Sequence, residues 1–301
     1  MGSGIQRGMA RFVTLCLVLC GCVKHVPSRN TQLAGRMRAA LTSEQPMPMM
    51  QGPRALHFLF VGGFLNETIP GYFVDNMAVV RDELGAEAST LFPPSAGSLD
   101  VDAAMIRDEV GRISDSTQRA VVLVGHSKGG AGVVLAVLRY PELITSGRVD
   151  RVISIQGALH GSPLADGLVA SLPIPLIHQA FQGLSTLTRM KAEAAFRASP
   201  MREDLRSWYE NHVFYVRSAE TTGQVSTELA LSHAFVARYG SGRNDGLLLE
   251  EDMRLEGVGT DLGVLRGDHA ALVVSSPLSN GTAATRKAFT RALLEQIFAE
   301  R

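Results

Sequence analysis

The stretch VVLVGHSKGG, residues 121–130, decides how the rest of the chain is read. Its run of apolar residues fits a strand covered on both faces, because a half-exposed strand would alternate apolar with polar side chains. The strand runs into Gly125-His126-Ser127-Lys128-Gly129, a Gly-x-Ser-x-Gly pattern, and then into GGAGVVLAVLRYPEL, which reads as a helix. The pattern is short and recurs by chance, and the strand before it and the helix after it are what give it meaning. A serine carried on so sharp a turn takes an unfavourable backbone angle, and side chains two positions to either side would collide. Gly125 and Gly129 remove those side chains. The Ser127 oxygen then projects beyond the C-terminal edge of the sheet. The helix starting near Lys128 points its free amides and positive dipole end at developing negative charge. The competing use of such residues is a nucleotide-binding turn. No Gly-x-Gly-x-x-Gly follows an early strand, however, and no Gly-Lys-Ser/Thr is present.

Outward from this point, strands and helices alternate. LHFLFVGGF (from Leu56), EASTLFPPSAG, VDRVISIQGA, HVFYVRS (212–218) and LGVLRG read as further strands. YFVDNMAVVRDELG, SLDVDAAMIRDEVGRISD and AATRKAFTRALLEQIFAE have helical spacing. This alternation predicts an α/β fold with a mostly parallel central sheet and flanking helices. Residues 164–205 break the alternation. They are long for a crossover and apolar in their first half, with Pro173 and Pro175 inside, and are expected to form a helical cap over the strand ends. Residues 55–301 make up the expected domain, preceded by a polar, proline-dotted tether over 23–54 with one helix near Gln32–Thr42.

A serine is a weak nucleophile and needs a base, which in turn needs an orienting acid. In folds built on this turn, the acid and then the histidine follow the serine along the chain. Of eight histidines, His25, His57 and His126 precede Ser127. His160, His178, His212 and His233 lie before the best acid or within strand and cap segments. His269, in the loop LRGDHAALV, is the candidate base. Asp245, in GSGRNDGLLLEED, leads as the acid, with Asp252, Asp261 and Asp268 as rivals; Asp268, adjacent to the histidine, should point elsewhere. The oxyanion hole would use the backbone amides of Lys128 and Phe64. Phe64 lies in FVGGFLNE, where Gly62 and Gly63 let the backbone approach a substrate.

The 301 residues are 46% hydrophobic and 19% charged, with 29 basic and 29 acidic side chains, so neither nucleic acid nor a strongly charged partner is favoured. All three cysteines fall at positions 16, 20 and 22. The domain therefore has no disulfide and no thiolate metal site, and no metal or cofactor is expected. Around the cysteines, Arg7 and Arg11 precede the short apolar run Phe12 to Cys20, as in an export signal. Leu19-Cys20-Gly21-Cys22 resembles a bacterial lipobox, which implies lipidation of Cys22, a membrane-surface anchor and an outer-membrane, periplasmic or secreted location. A plain cleaved signal or an uncleaved anchor is the alternative. Asn66-Glu67-Thr68 matches a glycosylation acceptor and, beside a bacterial-type signal, is read as chance.

Taken together, FVGGF, GHSKGG, HGSPLAD (160–166) and NDGLL, in that order along the chain, resemble the α/β-hydrolases. Within that superfamily they look like the secreted bacterial triacylglycerol lipases and esterases. The resemblance covers about residue 55 to the end. It implies an α/β-hydrolase fold and hydrolysis of lipid or acyl esters by Ser127, Asp245 and His269 through an acyl-enzyme. A thioesterase or acyltransferase would use the same residues, and a non-catalytic lipid binder is a further alternative. Several positions depart from the family pattern. Gly62 stands where a histidine is usual, and the family's disulfide is missing. Ala271 replaces an aspartate that serves a calcium site. Lys128, commonly Met or Gln, puts a cation beside the nucleophile; its side chain is expected to be solvated, with only its amide in use.

Overall fold

The computed structural model describes residues 32–42, 51–171, 182–276 and 279–298. The signal-like segment 1–22 with Cys22, residues 23–31 and 43–50 of the expected tether, and 172–181 of the expected cap lie outside the described residues. Six strands, β1 (His57–Val61), β2 (Glu87–Leu91), β3 (Val121–His126), β4 (Val149–Ile155), β5 (Val213–Ala219) and β6 (Thr260–Arg266), form one sheet in the order β2-β1-β3-β4-β5-β6. Every pairing is parallel. All residues of β1 and β3 are buried, hence their continuous apolar sequences, whereas β2 at the edge is half-exposed and polar.

The main helices are α1 (Gln32–Thr42), α2 (Val74–Ala78), α3 (Leu99–Thr117), α4 (Lys128–Arg139), α5 (Pro163–Ser171), α6 (Arg189–Arg197) and α7 (Ala283–Phe298). Successive strand residues point to opposite faces. Phe58, Phe60, Val122 and Val124 therefore meet Phe73, Phe289 and Leu293 on one side. Leu59, Val61, Val121 and Leu123 meet Ile106, Val110, Val133 and Val134 on the other. Each such fully buried side chain contributes about 1.5–3 kcal/mol. The start of α3 is set by Ser98, whose hydroxyl accepts the Val101 N–H at 3.2 Å.

Two expectations change. The segment read as tether carries part of the core: Leu33, Ala34 and Met37 of α1 form one apolar stripe that packs with residues of α7. The single helix expected over Tyr72–Gly85 is a short α turn followed by a π turn, Val79–Glu83, in which the successive residues Val79 and Val80 both reach the core.

The strand order positions the site. From β1 the chain moves to β2 on one side, then crosses back to β3 on the other. The loops leaving β1 and β3 thus diverge and open a crevice at the C-terminal ends of the strands. The insertion after β4 is helical where described: α5, Gln182–Thr186 and α6, then a turn Glu203–Leu205 and a helix Arg206–His212 leading into β5. Its Ala165, Leu168, Leu184 and Leu187 cluster with Phe64, Leu247 and Leu248, so this part of it rests on the loops after β1 and before β6.

Candidate active site

Ser127 occupies the turn between β3 and α4 with φ 57° and ψ −123°, a strained backbone for a residue with a side chain. A Cβ at Gly125 would fall 2.3 Å from the Gly129 carbonyl oxygen, and one at Gly129 would fall 2.4 Å from that of Val61. Only glycine leaves room for the turn against β1. Across the crevice, a Cβ at Gly63 would lie 2.7 Å from the Ser127 Cβ, so the loop after β1 passes directly over the serine. The Ser127 N–H donates to the Ile155 carbonyl at 3.1 Å, and its own carbonyl accepts from Ala131 and Ala158. Lys128 is the first residue of α4, so its N–H has no partner within the helix.

His269 and Asp245 come together. The His269 Nδ1 lies 2.7 Å from the Asp245 Oδ2, and the two residues are 6% and 0% exposed. The Asp245 Oδ1 accepts the amides of Leu247 (3.0 Å) and Leu248 (2.9 Å), which fixes the carboxylate through its own turn. The backbone joins the same two loops, because the His269 N–H donates to the Asp245 carbonyl at 2.8 Å. The rival acids are engaged elsewhere. Asp268 accepts backbone amides of Ser226, Ala270 and Asn280, and Asp261 binds Arg217. Asp252 lies near His160, and burial pushes its carboxyl up to about 6.

Three residues that the sequence reading set aside or missed surround this pair. His126, ahead of the serine, packs its ring 4.8 Å from that of His269. Its Nε2 lies 2.8 Å from the His269 carbonyl oxygen, which can only accept, so Nε2 carries the proton. Nδ1 is then an acceptor, and the Tyr72 hydroxyl donates to it at 2.9 Å. Burial holds His126 well below the usual histidine range, with the neighbouring His269 adding to the shift, and burial likewise raises Tyr72, so both are neutral. Gln156, at the end of β4 with φ 49°, donates from Nε2 to Asp245 Oδ2 (3.2 Å), the Asp268 carbonyl (2.9 Å) and the Ser218 hydroxyl (2.5 Å). His126 sat inside the motif and was discarded only on the order rule. Tyr72 and Gln156 gave no sequence signal, because their partners lie on distant segments.

The Lys128 side chain is not solvated and does not face the serine. It is buried, with Nζ 3.0 Å from Asp102 Oδ2 of α3 and donating to the carbonyls of Pro94 (3.1 Å) and Ser95 (3.4 Å). Burial pushes the Asp102 carboxyl up to about 6 against the pull of this ammonium. Asn66 is buried too, and its amide donates to the Gly63 and Pro93 carbonyls, both at 2.8 Å. A cavity of about 790 Å³ lies at the opposite end of the strands beside His212 and Asp261, away from this chemistry.

No protein-family model and no curated protein sequence matches the chain. Among solved structures it is similar to a metagenomic carboxyl esterase, with a TM-score of 0.70 and 19% identity, over 96% of this chain and 99% of that one. It is also similar to the mature form of a Bacillus licheniformis lipase, with a TM-score of 0.58 and 21% identity, over 75% of this chain and 87% of that one. The six parallel strands, their order and these likenesses define the α/β-hydrolase fold.

Proposed function

We propose that this chain is a serine hydrolase of carboxylic esters, acting on lipid or other acyl esters. The observation that carries the reading is the buried 2.7 Å pair of His269 and Asp245, with His269 packed against His126, the residue before the strained Ser127. His269 takes the Ser127 proton, and Asp245 holds the imidazole in one tautomer and stabilises its charged form. Ser127 attacks the ester carbonyl, the amides of Phe64 and Lys128 receive the oxyanion, and the alcohol leaves with the proton from His269. Water activated by the same histidine then releases the acid. The esterase and lipase likenesses support this choice of reaction, and the apolar cluster of α5 and Leu184 against Phe64 favours an apolar acyl group. Export and lipidation at Cys22 belong to the same proposal; metabolic palmitate labelling lost in Cys22→Ala would bear on them.

The test is labelling with a fluorophosphonate together with p-nitrophenyl ester turnover. Wild-type protein should label and turn over, Ser127→Ala should do neither, and His269→Ala should fall by about 10²–10⁴-fold. Labelling that persists in Ser127→Ala, or folded wild-type protein that neither labels nor turns over, would defeat the reading.

A further inference from the structure

Lys128 bears on both sides of the crevice. Its backbone N–H opens α4 beside the serine, while its side chain runs back between α3 and the loop after β2. There the ammonium binds the Pro94 and Ser95 carbonyls, with Asp102 as counter-ion. That loop in turn grips the loop after β1. The Ser95 hydroxyl accepts the Leu65 N–H at 2.7 Å and donates to the Glu67 carboxylate, and the Ser95 N–H donates to Glu67 at 2.6 Å. Asn66 ties the Pro93 carbonyl to that of Gly63. Phe64 sits between the two anchored residues Gly63 and Leu65.

We propose that the Lys128 side chain is a positioning residue for the oxyanion hole: through Pro94 and Ser95 it fixes the 63–67 loop and thereby sets the distance between the Phe64 amide and Lys128's own amide. The role rests on the hydrolase reading above and adds to it a use for the side chain that departs from the family pattern. On the strand side of Phe64 the loop is also tied to β2, the Gly62 N–H donating to the Leu91 carbonyl at 3.0 Å, so Pro94 and Ser95 hold its far half. A loop held only by its own turn would leave one of the two donors free to drift, and donors aimed at developing charge act only when held in place.

The experiment compares wild type, Lys128→Met and the double variant Lys128→Met/Asp102→Asn. The double variant removes both charges, so no ion is left buried and unpaired. Three readouts are taken: kcat and KM on a p-nitrophenyl ester, affinity for a trifluoromethyl ketone whose hemiketal oxygen occupies the oxyanion position, and amide exchange of the peptide covering residues 62–68. Both variants should lose about tenfold or more in kcat with KM within about twofold, bind the ketone weaker by a similar factor, and exchange faster at 62–68. If Lys128→Met fails to fold, the double variant carries the test. A double variant that is folded and matches wild type in kcat and ketone affinity overturns the proposal, because the pair would then serve stability alone. Inert wild-type protein would overturn the hydrolase reading and this role together, a result distinct from active wild type with equally active variants.

Discussion

Substituting Gly63 by alanine tests whether the close passage of the β1 loop over Ser127 matters for chemistry. The added Cβ would sit 2.7 Å from the Ser127 Cβ, 2.9 Å from the Tyr72 hydroxyl and 3.0 Å from the His126 carbonyl, where ordinary contacts begin at 3.4 Å. None of these neighbours can swing away. Two belong to the backbone of the turn or the Cβ fixed by it, and Tyr72 is buried and bonded to His126. The loop must therefore back off by about 1 Å, carrying the Phe64 amide with it. A misplacement of that size costs about 10²-fold in rate, in the range seen when one oxyanion donor is removed, about 10²–10³-fold. We expect Gly63→Ala to lower kcat about 10²-fold on a p-nitrophenyl ester, with KM little changed and the thermal melt still cooperative. Gly62→Ala is the control one residue away. Its Cβ meets at 2.6 Å the Phe92 ring, which is 43% exposed at the sheet edge and has solvent to turn into, and at 3.0 Å the buried Asn66 Cβ, a contact that a shift of a few tenths of an ångström relieves. Its loss should stay under about tenfold. Wild-type turnover in Gly63→Ala, or equal losses in the two variants, would refute the geometry argued here.

Tyr72→Phe deletes the donor to His126 Nδ1 and leaves a buried acceptor unpaired, so unfolding free energy should drop by about 1–3 kcal/mol in urea titration; unchanged stability would contradict the tautomer assigned to His126. Gln156→Glu places a negative charge beside the His269–Asp245 pair and should move the acid limb of the kcat/KM profile to higher pH; an unmoved limb would show that Gln156 does not bear on the pair. Asp252 is held at about 6 against an ordinary 3.8, so its ionised form penalises the native state fully above pH 6 and not at all below about pH 4. That lift is worth about 3 kcal/mol at full burial and, discounted for solvent screening at this part-exposed carboxyl, about 1–2 kcal/mol. Asp252→Asn should accordingly be the more stable protein at pH 8 and no more stable at pH 4, read from thermal melts across pH; equal stability at pH 8 would rule out the penalty.

The strands and the serine turn were legible because a buried parallel strand writes itself as an unbroken apolar run, and because glycines either side of a strained serine have a steric cause. Chain order singled out His269 and Asp245, and the fold shows that of the four candidate acids it is Asp245 whose carboxylate lies against the histidine ring. Asp268 lay nearest to the histidine in sequence yet turns to the backbone amides of Ser226 and Asn280 on other segments and of Ala270 in its own loop. Helix α1 was expected at Gln32–Thr42, but its docking on the core was missed because its stripe of Leu33, Ala34 and Met37 is short and its surroundings are polar. Tyr72 and Gln156 lie 54 and 89 residues from their partners His126 and Asp245, and a parallel sheet makes such contacts without any local pattern.

Lys128 shows how a correct general rule can mislead at a particular residue. A lysine is almost never fully buried unless paired, and nothing near Lys128 in the sequence offers a partner, so a solvated side chain is the natural reading. The partner is Asp102, one helix away in space, and the separation of α3 and α4 decides whether it can reach. That separation is set by the glycine run after the serine: a Cβ at Gly132 would lie 3.2 Å from the Ile106 side chain and 3.5 Å from the Asp102 Cβ. The run GGAG at 129–132 thus has two consequences. At Gly129 it admits the turn against β1, and at Gly132 it lets α3 settle close enough for Asp102 to meet the lysine. The glycine run that begins at the last glycine of the serine motif thus also brings the counter-ion that turns Lys128 inward, toward Pro94 and Ser95 of the loop after β2.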